Sequence, residues 1–259
     1  MTSGYTEAER RLRAIVRAFL SPGVWLVVGA QFLTQFALRQ GVPTGESGPG
    51  LPRTLLFSAL MMGFVYLQAG AYHGLAKGND RLTLREVATP GVALFARFLW
   101  LFLKLGVSAA LVFNLFTLAL MGGVGVSPDA LVRQLAPTLP MLLAVLGLVF
   151  VYWLPLVFVT DDFRLFATWR RALRTAWQRL PQSGFLAVLL IAPVVLLLLL
   201  PEVVPDDSMD GGGRAALGTA AEALLLSLSA LASLLGWIVY IYCVEWLRDH
   251  PPEDASAAG

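Results

Sequence analysis

Three ionisable residues lie within long apolar stretches of this sequence, where a charge or a titratable ring could do chemistry. Lys104 stands in LWLFLKLGVSAALVF, His73 in QAGAYHGLAKG and Glu245 in YIYCVEWLRDH. At the centre of a bilayer an ionisable group costs at least ~2.5 kcal/mol unless it pairs or reaches the interface. Lys104 therefore either extends its ammonium group to the interface or meets a partner inside a bundle. The candidate partners are Glu245, Gln31, Gln35, Gln68, His73 and Asn114.

His73 admits two interpretations. A proton-relay histidine would need an acidic neighbour, and none is adjacent in the sequence. Gly70 and Gly74 flank it on one helix face, and this small-residue pair predicts the close approach of another helix. A similar small-residue stripe is formed by Ser229, Ala232, Ser233 and Gly236.

Residue patterns typical of catalysis are missing from the sequence. It contains no nucleotide-binding P-loop, no H-E-x-x-H zinc motif and no G-x-G-x-x-G fingerprint. The single cysteine, Cys243, excludes an internal disulfide and a multi-cysteine metal site. We therefore expect no cofactor and no metal, and a non-enzymatic protein is favoured over an enzyme. The acidic segment 201–214 could hold a cation weakly, but a solvated loop is the simpler interpretation.

The segment DDFRLFATWRRALRTAWQRLP, residues 161–181, is the candidate interaction surface. At helical spacing Arg164, Arg171, Arg174 and Gln178 share the face opposite its apolar residues, which is typical of a helix lying in the headgroup layer. Arg170, Arg171 and Arg174 could each contribute ~1 kcal/mol of attraction to anionic lipid. The helix could be only a membrane-anchored elbow, or it could dock a cytoplasmic partner. The predicted apolar face consists of Phe166, Trp169, Leu173, Trp177 and Leu180.

Composition indicates the elements that position these residues. Of 259 residues, 57% are hydrophobic and 14% charged, whereas about a quarter of a soluble domain is charged. Six apolar segments approach the ~20 residues that cross a bilayer. The predicted fold is therefore an all-α integral membrane protein with six transmembrane helices, plus a cytoplasmic interfacial helix, about 161–180, between spans four and five. The segments lie at roughly 23–39, 54–76, 96–121, 139–160, 184–204 and 220–246.

An amphipathic helix is predicted before the first span. Thr6 and Glu9 form a T-x-x-E capping box, and an interfacial helix should occupy residues 1–22. Ser21 and Pro22 are expected as N-cap and first residue of the next helix. The membrane domain then covers 23–248, and the tail 249–259 should be disordered.

The connections between the apolar segments differ in character. Thr83 and Glu86 form a second capping box, so the connection 76–91 should hold one short helix. The connection 40–52 is turn-rich, residues 127–137 could form an external helical turn, and 201–214 should be mobile. Inside spans four and five, Pro155 and Pro193 are expected to kink the helices.

The distribution of basic residues predicts the orientation. With the N-terminus inside, arginine and lysine concentrate in the terminal segments and in the connections 76–97 and 161–181. This bias follows the positive-inside rule for an even number of spans. Both termini should then be cytoplasmic. The opposite side holds only Arg39, Arg53, Arg133 and Arg214.

Three stretches carry a family resemblance: AYHGLAKGNDRLTLREV, WLPLVFVTDDFRLFATWRRALRTAWQRLPQSGFLAVLL and YIYCVEWLRDH. In this order they resemble a group of bacterial six-span proteins that includes the membrane domain attached to glycerophosphodiester phosphodiesterases. The resemblance runs from about residue 10 to 248 and implies an integral inner-membrane protein. It transfers no catalytic residue, because the phosphodiesterase chemistry belongs to a separate soluble domain.

The favoured function is a non-enzymatic scaffold or accessory subunit in envelope or transport processes. Its expected partners are anionic membrane lipids, a cytoplasmic protein or further copies of the chain, and not nucleic acid. The alternative is a permease subunit that resembles ABC-type exporters and uses residues 76–91 as a coupling helix on a separate ATPase. A lipid-modifying membrane enzyme is the third interpretation.

Overall fold

The structure is a computed structural model that describes residues 6–41, 51–78, 81–89, 91–124, 139–203 and 211–251. In these ranges the chain is helical and contains no strand. The predicted turns at 40–52 and 127–137 and the predicted disordered tail lie wholly or largely outside the described residues. Of the segment 201–214, predicted to be mobile, residues 201–203 and 211–214 are helical and 204–210 lie outside the described residues. The helices are α1 (Glu7–Leu20), α2 (Pro22–Gly41), α3 (Leu51–Ala76), α4 (Leu84–Ala88), α5 (Val92–Val124), α6 (Leu139–Val159), α7 (Leu165–Gln178), α8 (Leu180–Val203) and α9 (Gly211–Asp249).

Both predicted capping boxes are confirmed. The Thr6 hydroxyl accepts from the Glu9 N–H at 3.3 Å while the Glu9 carboxylate accepts from the Thr6 N–H at 2.8 Å. Thr83 and Glu86 exchange the same pair of bonds at the start of α4. These reciprocal bonds satisfy backbone donors that a helix start otherwise leaves open. They explain why α1 and α4 begin where they do.

Three helical stretches are long and apolar enough to cross a membrane: Thr54–Ala76, Val92–Val112 and Ala223–Asp249. A fourth span results if α1 and α2 are counted together, although the chain bends by 68° between them. Two shorter apolar stretches, Leu146–Val159 and Leu180–Pro193, belong to α6 and α8. The chain is thus an all-helical protein with candidate membrane spans.

Aromatic side chains fill the middle of the bundle. The Tyr72 ring lies 4.7 Å from the rings of Trp237 and Tyr240 and 5.5 Å from that of Phe158. The Tyr240 hydroxyl donates to the Tyr72 carbonyl at 2.8 Å. Helices in lipid gain little hydrophobic force from association, so this dispersion-rich contact holds α3, α6 and α9 together.

Close contact at Gly70 and Gly74 is also confirmed, but the approaching element is α4 rather than another span. A Cβ atom on Gly70 would lie 2.9 Å from the Val87 carbonyl carbon, and one on Gly74 would collide with the Leu82 side chain. Leu82 and Val87 are fully buried. The two glycines therefore let the α3–α4 connection pack against α3.

The start of α2 at Pro22 is confirmed, but the hydroxyl of Ser21 has another role than the predicted cap. It accepts from the Leu82 N–H at 3.2 Å and donates to the Arg17 carbonyl at 2.6 Å. The interfacial helix begins at Leu165, four residues later than predicted. Asp161 has a φ of 51°, and this left-handed residue turns the chain between α6 and α7.

One end of the bundle gathers α1, the α3–α4 connection, α7 and the last turns of α9, and we call it the basic end. Contacts there link Arg10 to Asp249, Arg97 to Asp161 and Arg248 to Ala76. The starts of α2, α5 and α8 and the ends of α3, α6 and α9 lie at this end. The basic segments of the sequence therefore come together in space.

Candidate functional site

Two of the four arginines of α1 face the protein rather than the solvent. Arg10 and Arg17 are buried, and so are Ala14 and Ala18 on the same helix face. The Arg10 guanidinium lies 2.8 Å from the Asp249 carboxylate, and that of Arg17 lies 3.1 Å from Glu245. The small alanines let α1 approach α9 closely enough for both ion pairs to form.

This arrangement replaces the predicted pair of Lys104 and Glu245. Among the described residues, the carboxylate of Glu245 pairs with Arg17. The Lys104 ammonium lies 5.4 Å from the centre of the Trp100 ring, one turn closer to the start of α5. The Lys104 side chain therefore extends toward the basic end. This agrees with the predicted alternative in which its ammonium group reaches the membrane interface.

Glu7 is the second node that fixes α1. Its carboxylate accepts from the Tyr242 hydroxyl, and Arg11 and Arg179 lie 3.4 Å and 3.9 Å away. Partial burial alone would raise the pKa of Glu7, but the Tyr242 hydroxyl and the two arginines outweigh burial and hold the pKa below its ordinary value. The Arg179 guanidinium also stacks over the Trp246 ring at 4.2 Å.

The end of α3 is held by the end of α9. The Arg248 guanidinium donates to the carbonyl of Ala76, one of the carbonyls that a helix end leaves without an internal partner. Gly78 has a φ of 95°, and a Cβ atom there would lie 2.8 Å from the Arg248 guanidinium carbon. The left-handed conformation favours glycine here, and a side chain would displace the Arg248 guanidinium.

A cleft of about 380 Å³ opens between α1, the α3–α4 connection and the end of α9. We call it the arginine cleft. Five arginines and two carboxylates line it, a formal excess of three positive charges. Its apolar lining comes from Val16 and Leu20. The charged lining residues are Arg10, Arg13, Arg17, Arg81, Arg248, Glu245 and Asp249.

Sequence reasoning found Glu245 but missed the cleft. The missed signal was the spacing of Arg10, Ala14, Arg17 and Ala18, which puts two arginines and two small residues on one helix face. Small residues on a face indicate close packing, so the arginines on that face needed acidic partners in another element.

The α7 helix has three faces instead of the predicted two. Leu165, Thr168, Ala172 and Ala176 are buried against the bundle. The Trp153 indole N–H donates to the Thr168 hydroxyl at 3.0 Å. Trp169, predicted on the apolar outer face, instead packs edge-on against the Trp153 and Phe150 rings. The small residues Thr168, Ala172 and Ala176 therefore dock this helix together with Leu165 and Trp169.

The other two faces of α7 are exposed. Phe166, Leu173 and Trp177 form an apolar strip, with Phe166 80% and Trp177 73% exposed. Arg170 and Arg174 are exposed on the adjacent side. Arg171 lies between the arginine side and the bundle, and its guanidinium is 3.2 Å from the Asp162 carboxylate.

Asp162 organises the start of α7. It accepts from the Arg164 N–H at 3.1 Å and from the Arg164 side chain at 2.9 Å. These bonds, with the nearby charge of Arg171, lower the pKa of Asp162 despite its partial burial. The carboxylate therefore remains ionised at neutral pH and holds the turn that leads into the helix.

The remaining candidate residues do not gather into one site. His73 is half-buried on α3 beside the α3–α4 connection. Lys104 and Arg164 line a shallow, mostly apolar groove between α5 and α7. Within the described part of the chain, no group of three or more histidine, cysteine or acidic side chains is placed to hold a metal ion.

A separate, partly open cavity of about 210 Å³ lies between α2, α3, α6, α8 and α9. Its polar lining includes Gln31, Gln68 and Ser233, and Pro155 lines it from α6. Near it, the Ser229 hydroxyl donates to the Gln35 side-chain carbonyl at 2.5 Å. The polar residues of the first apolar segment thus face the inside of the bundle.

Comparisons with models of protein families, with curated proteins and with solved structures each gave no match.

Proposed function

We propose that this chain is a non-enzymatic, six-span protein of a bacterial cytoplasmic membrane with both termini in the cytoplasm. It acts as a scaffold or accessory subunit in envelope or transport processes. Its basic end presents α1 and α7 to anionic lipid and to a cytoplasmic partner. The six-span layout that resembles the membrane domain of glycerophosphodiester phosphodiesterases is part of the same proposal.

The three-faced α7 helix carries the proposal. An interfacial helix attached to a bundle needs one face for protein, one for lipid and one for water. The face toward the protein consists of the buried residues of α7. The face toward lipid is the exposed strip of Phe166, Leu173 and Trp177. The face toward water carries the exposed Arg170 and Arg174. Exposed aromatic residues are favoured at the headgroup layer.

Helix α1 supports the same placement. It bends by 68° from α2, so it lies close to the membrane plane when α2 crosses the bilayer. Its exposed residues on the side away from α9 include Leu12, Ile15 and Phe19. These side chains would enter the lipid while Arg10 and Arg17 remain docked on α9.

Helix lengths and ends support six spans. Even the shortest of the six long helices, α2 with 20 residues, extends ~30 Å, the thickness of a hydrocarbon core. Successive long helices run alternately away from and toward the basic end. An even number of crossings with both termini on the basic side follows, in accord with the positive-inside rule.

Lipid quenching tests the placement of α7. In nanodiscs with brominated lipid, Trp177 fluorescence should be quenched strongly, because its ring is exposed on the apolar strip. The variant Trp177→Phe should therefore lose much of the quenchable signal. Trp153→Phe is the matched control, because Trp153 is fully buried and should contribute little to it. Equal contributions from the two residues would refute the placement.

Affinity purification tests the partner function. The double variant Arg170→Glu/Arg174→Glu reverses the exposed charges of α7 and should lose the bound partner. The control, Arg85→Glu, changes an exposed arginine of α4 and should retain it. Equal recovery of the partner with both variants would exclude α7 as the docking surface.

The cavity of about 210 Å³ between the helices favours a permease subunit as the second candidate. Gln31, Gln68 and Ser233 could bind a polar solute between α2, α3 and α9. Here α4 would dock a separate ATPase, and its exposed Leu84 and Arg85 would make the contact. An ATPase that co-purifies with the wild type and is lost on Leu84→Asp would favour this function over the scaffold.

A further inference from the structure

The arginine cleft has the chemistry of a phosphate site. Guanidinium groups present planar, paired donors that match phosphate oxygens and carry a permanent positive charge. The arginines come from α1, the α3–α4 connection and α9 and converge on one cavity of about 380 Å³. This volume is in the usual range for a small-ligand pocket of about 300–1,000 Å³.

The cleft also has an apolar side. Val16 and Leu20 line it, and both are exposed. Leu12 lies one turn before Val16 on the same outer face of α1 and is exposed as well. A ligand that fills the cleft therefore meets positive charge at one side and an apolar helix face at the other.

We propose that the arginine cleft binds a phosphate-bearing headgroup, with the phosphate between the guanidinium groups and the apolar part along Val16 and Leu20. An anionic phospholipid and a soluble phosphate ester share this chemistry. The lipid source rests on the proposed membrane placement of the chain, whereas recognition of the phosphate does not.

The lining arginines have different structural roles. Arg10 and Arg17 are ion-paired to α9, and Arg248 holds the end of α3, so these three shape the cavity. Arg13 and Arg81 are exposed at the cleft on α1 and on the α3–α4 connection. They are the residues whose replacement should change the ligand site with the least change to the fold.

The test compares two double variants of the full chain in nanodiscs. Arg13→Gln/Arg81→Gln removes two charges from the cleft. Lys77→Gln/Arg85→Gln removes two exposed charges of the basic end that do not line the cleft. Binding of glycerol 3-phosphate and of inorganic phosphate is measured by calorimetry in phosphatidylcholine nanodiscs. Retention of phosphatidylglycerol is measured by native mass spectrometry after purification from mixed lipid.

Loss of hydrogen bonds to charged groups should weaken phosphate binding or lipid retention about tenfold or more in the cleft variant. The control variant should bind like the wild type. Selective retention of phosphatidylglycerol without binding of soluble phosphates identifies a lipid headgroup. Binding of the soluble phosphates in neutral nanodiscs identifies a soluble ester.

Two results would overturn the proposal. One is an equal loss in the cleft and control variants, which indicates a general charge effect. The other is no binding of any of the three probes by the wild type. If the cleft double variant does not purify as a folded protein, Arg81→Gln alone is compared with Arg85→Gln. If the phosphate-binding test fails but brominated lipid quenches Trp177, the phosphate site is refuted and the proposed membrane placement is retained.

Discussion

The ion pair of Arg17 and Glu245 should contribute several times more to stability than a similar pair at the surface. We predict this from two double-mutant cycles. The first uses Arg17→Gln, Glu245→Gln and the double variant. The second uses Arg97→Gln, Asp161→Asn and their double variant, because Asn tolerates the left-handed backbone of residue 161.

The two pairs have almost the same geometry and differ in burial. The nitrogen–oxygen distances are 3.1 Å for Arg17–Glu245 and 3.2 Å for Arg97–Asp161. The side chains of Arg17 and Glu245 are 8% and 15% exposed, whereas those of Arg97 and Asp161 are 49% and 64% exposed. Burial is therefore the main variable between the cycles.

Burial determines the expected magnitude. At 3.1 Å two unit charges attract by about 5 kcal/mol at an effective dielectric constant of 20, and by about 1 kcal/mol in water. Arg17 and Glu245 retain some contact with solvent, so we expect a coupling energy of about 2–3 kcal/mol. The exposed pair should give about 0.2–1 kcal/mol.

Equilibrium unfolding in mixed micelles of dodecyl maltoside and SDS, followed by tryptophan fluorescence, measures both coupling energies. Each single variant at the buried pair should be strongly destabilised, because it leaves a buried charge without its partner. The double variant should recover part of the loss. Additive single-variant effects at Arg17 and Glu245, or equal coupling in the two cycles, would refute the role of this pair in docking α1.

Three further predictions concern packing, pH and Lys104. Gly70→Ala should destabilise the fold by about 1–3 kcal/mol, because the added methyl group would overpack on Val87. The control Gly63→Ala should not destabilise it, since a Cβ atom there would have no neighbouring atom within 4 Å. The same unfolding assay measures both variants. Because the pKa of Asp162 is lowered in the folded protein, its carboxylate stabilises the fold at pH values above its ordinary pKa of 3.8. This stabilisation is lost as the pH falls through the lowered pKa. In the Asp162→Asn variant the free energy of unfolding should fall less steeply at acid pH than in the wild type. The same pH dependence in both proteins would contradict the role given to the Asp162 carboxylate. Lys104→Met should change the free energy of unfolding by less than about 1 kcal/mol, because an ammonium group over an accessible ring contributes little; a large loss would reveal a buried partner.

Much of the helical framework was predictable from local sequence chemistry. The capping boxes at Thr6 and Thr83 gave the starts of α1 and α4, because reciprocal side-chain bonds act within three residues. The six long helices cover the six apolar segments, since the length of an apolar run is a strong signal. The start of α7 was missed because the turn depends on Asp161 adopting a left-handed backbone, which an aspartate does not reveal on its own.

The candidate site was predictable only in part. Arg174 is exposed on the face that helical periodicity assigns to it. The partner of Glu245 was not predictable in the same way, because Arg17 is 228 residues away in the chain. The inward turn of Trp169 likewise depends on the rings of Trp153 and Phe150 on another helix.

In the proposed membrane placement, the ion pairs of α1 also determine which of its faces is left for the lipid. Hydrophobic force does not select a docking face between helices that both contact lipid. The pairs of Arg10 with Asp249 and Arg17 with Glu245 can form on only one face of α1. The exposed face with Leu12 and Val16 is then turned away from α9. Neutralising Glu245 and Asp249 should therefore change the angular position of α1 as well as its stability. Spin labels on Leu12 and Leu20, which are both exposed, would detect this as a change in their relative lipid exposure.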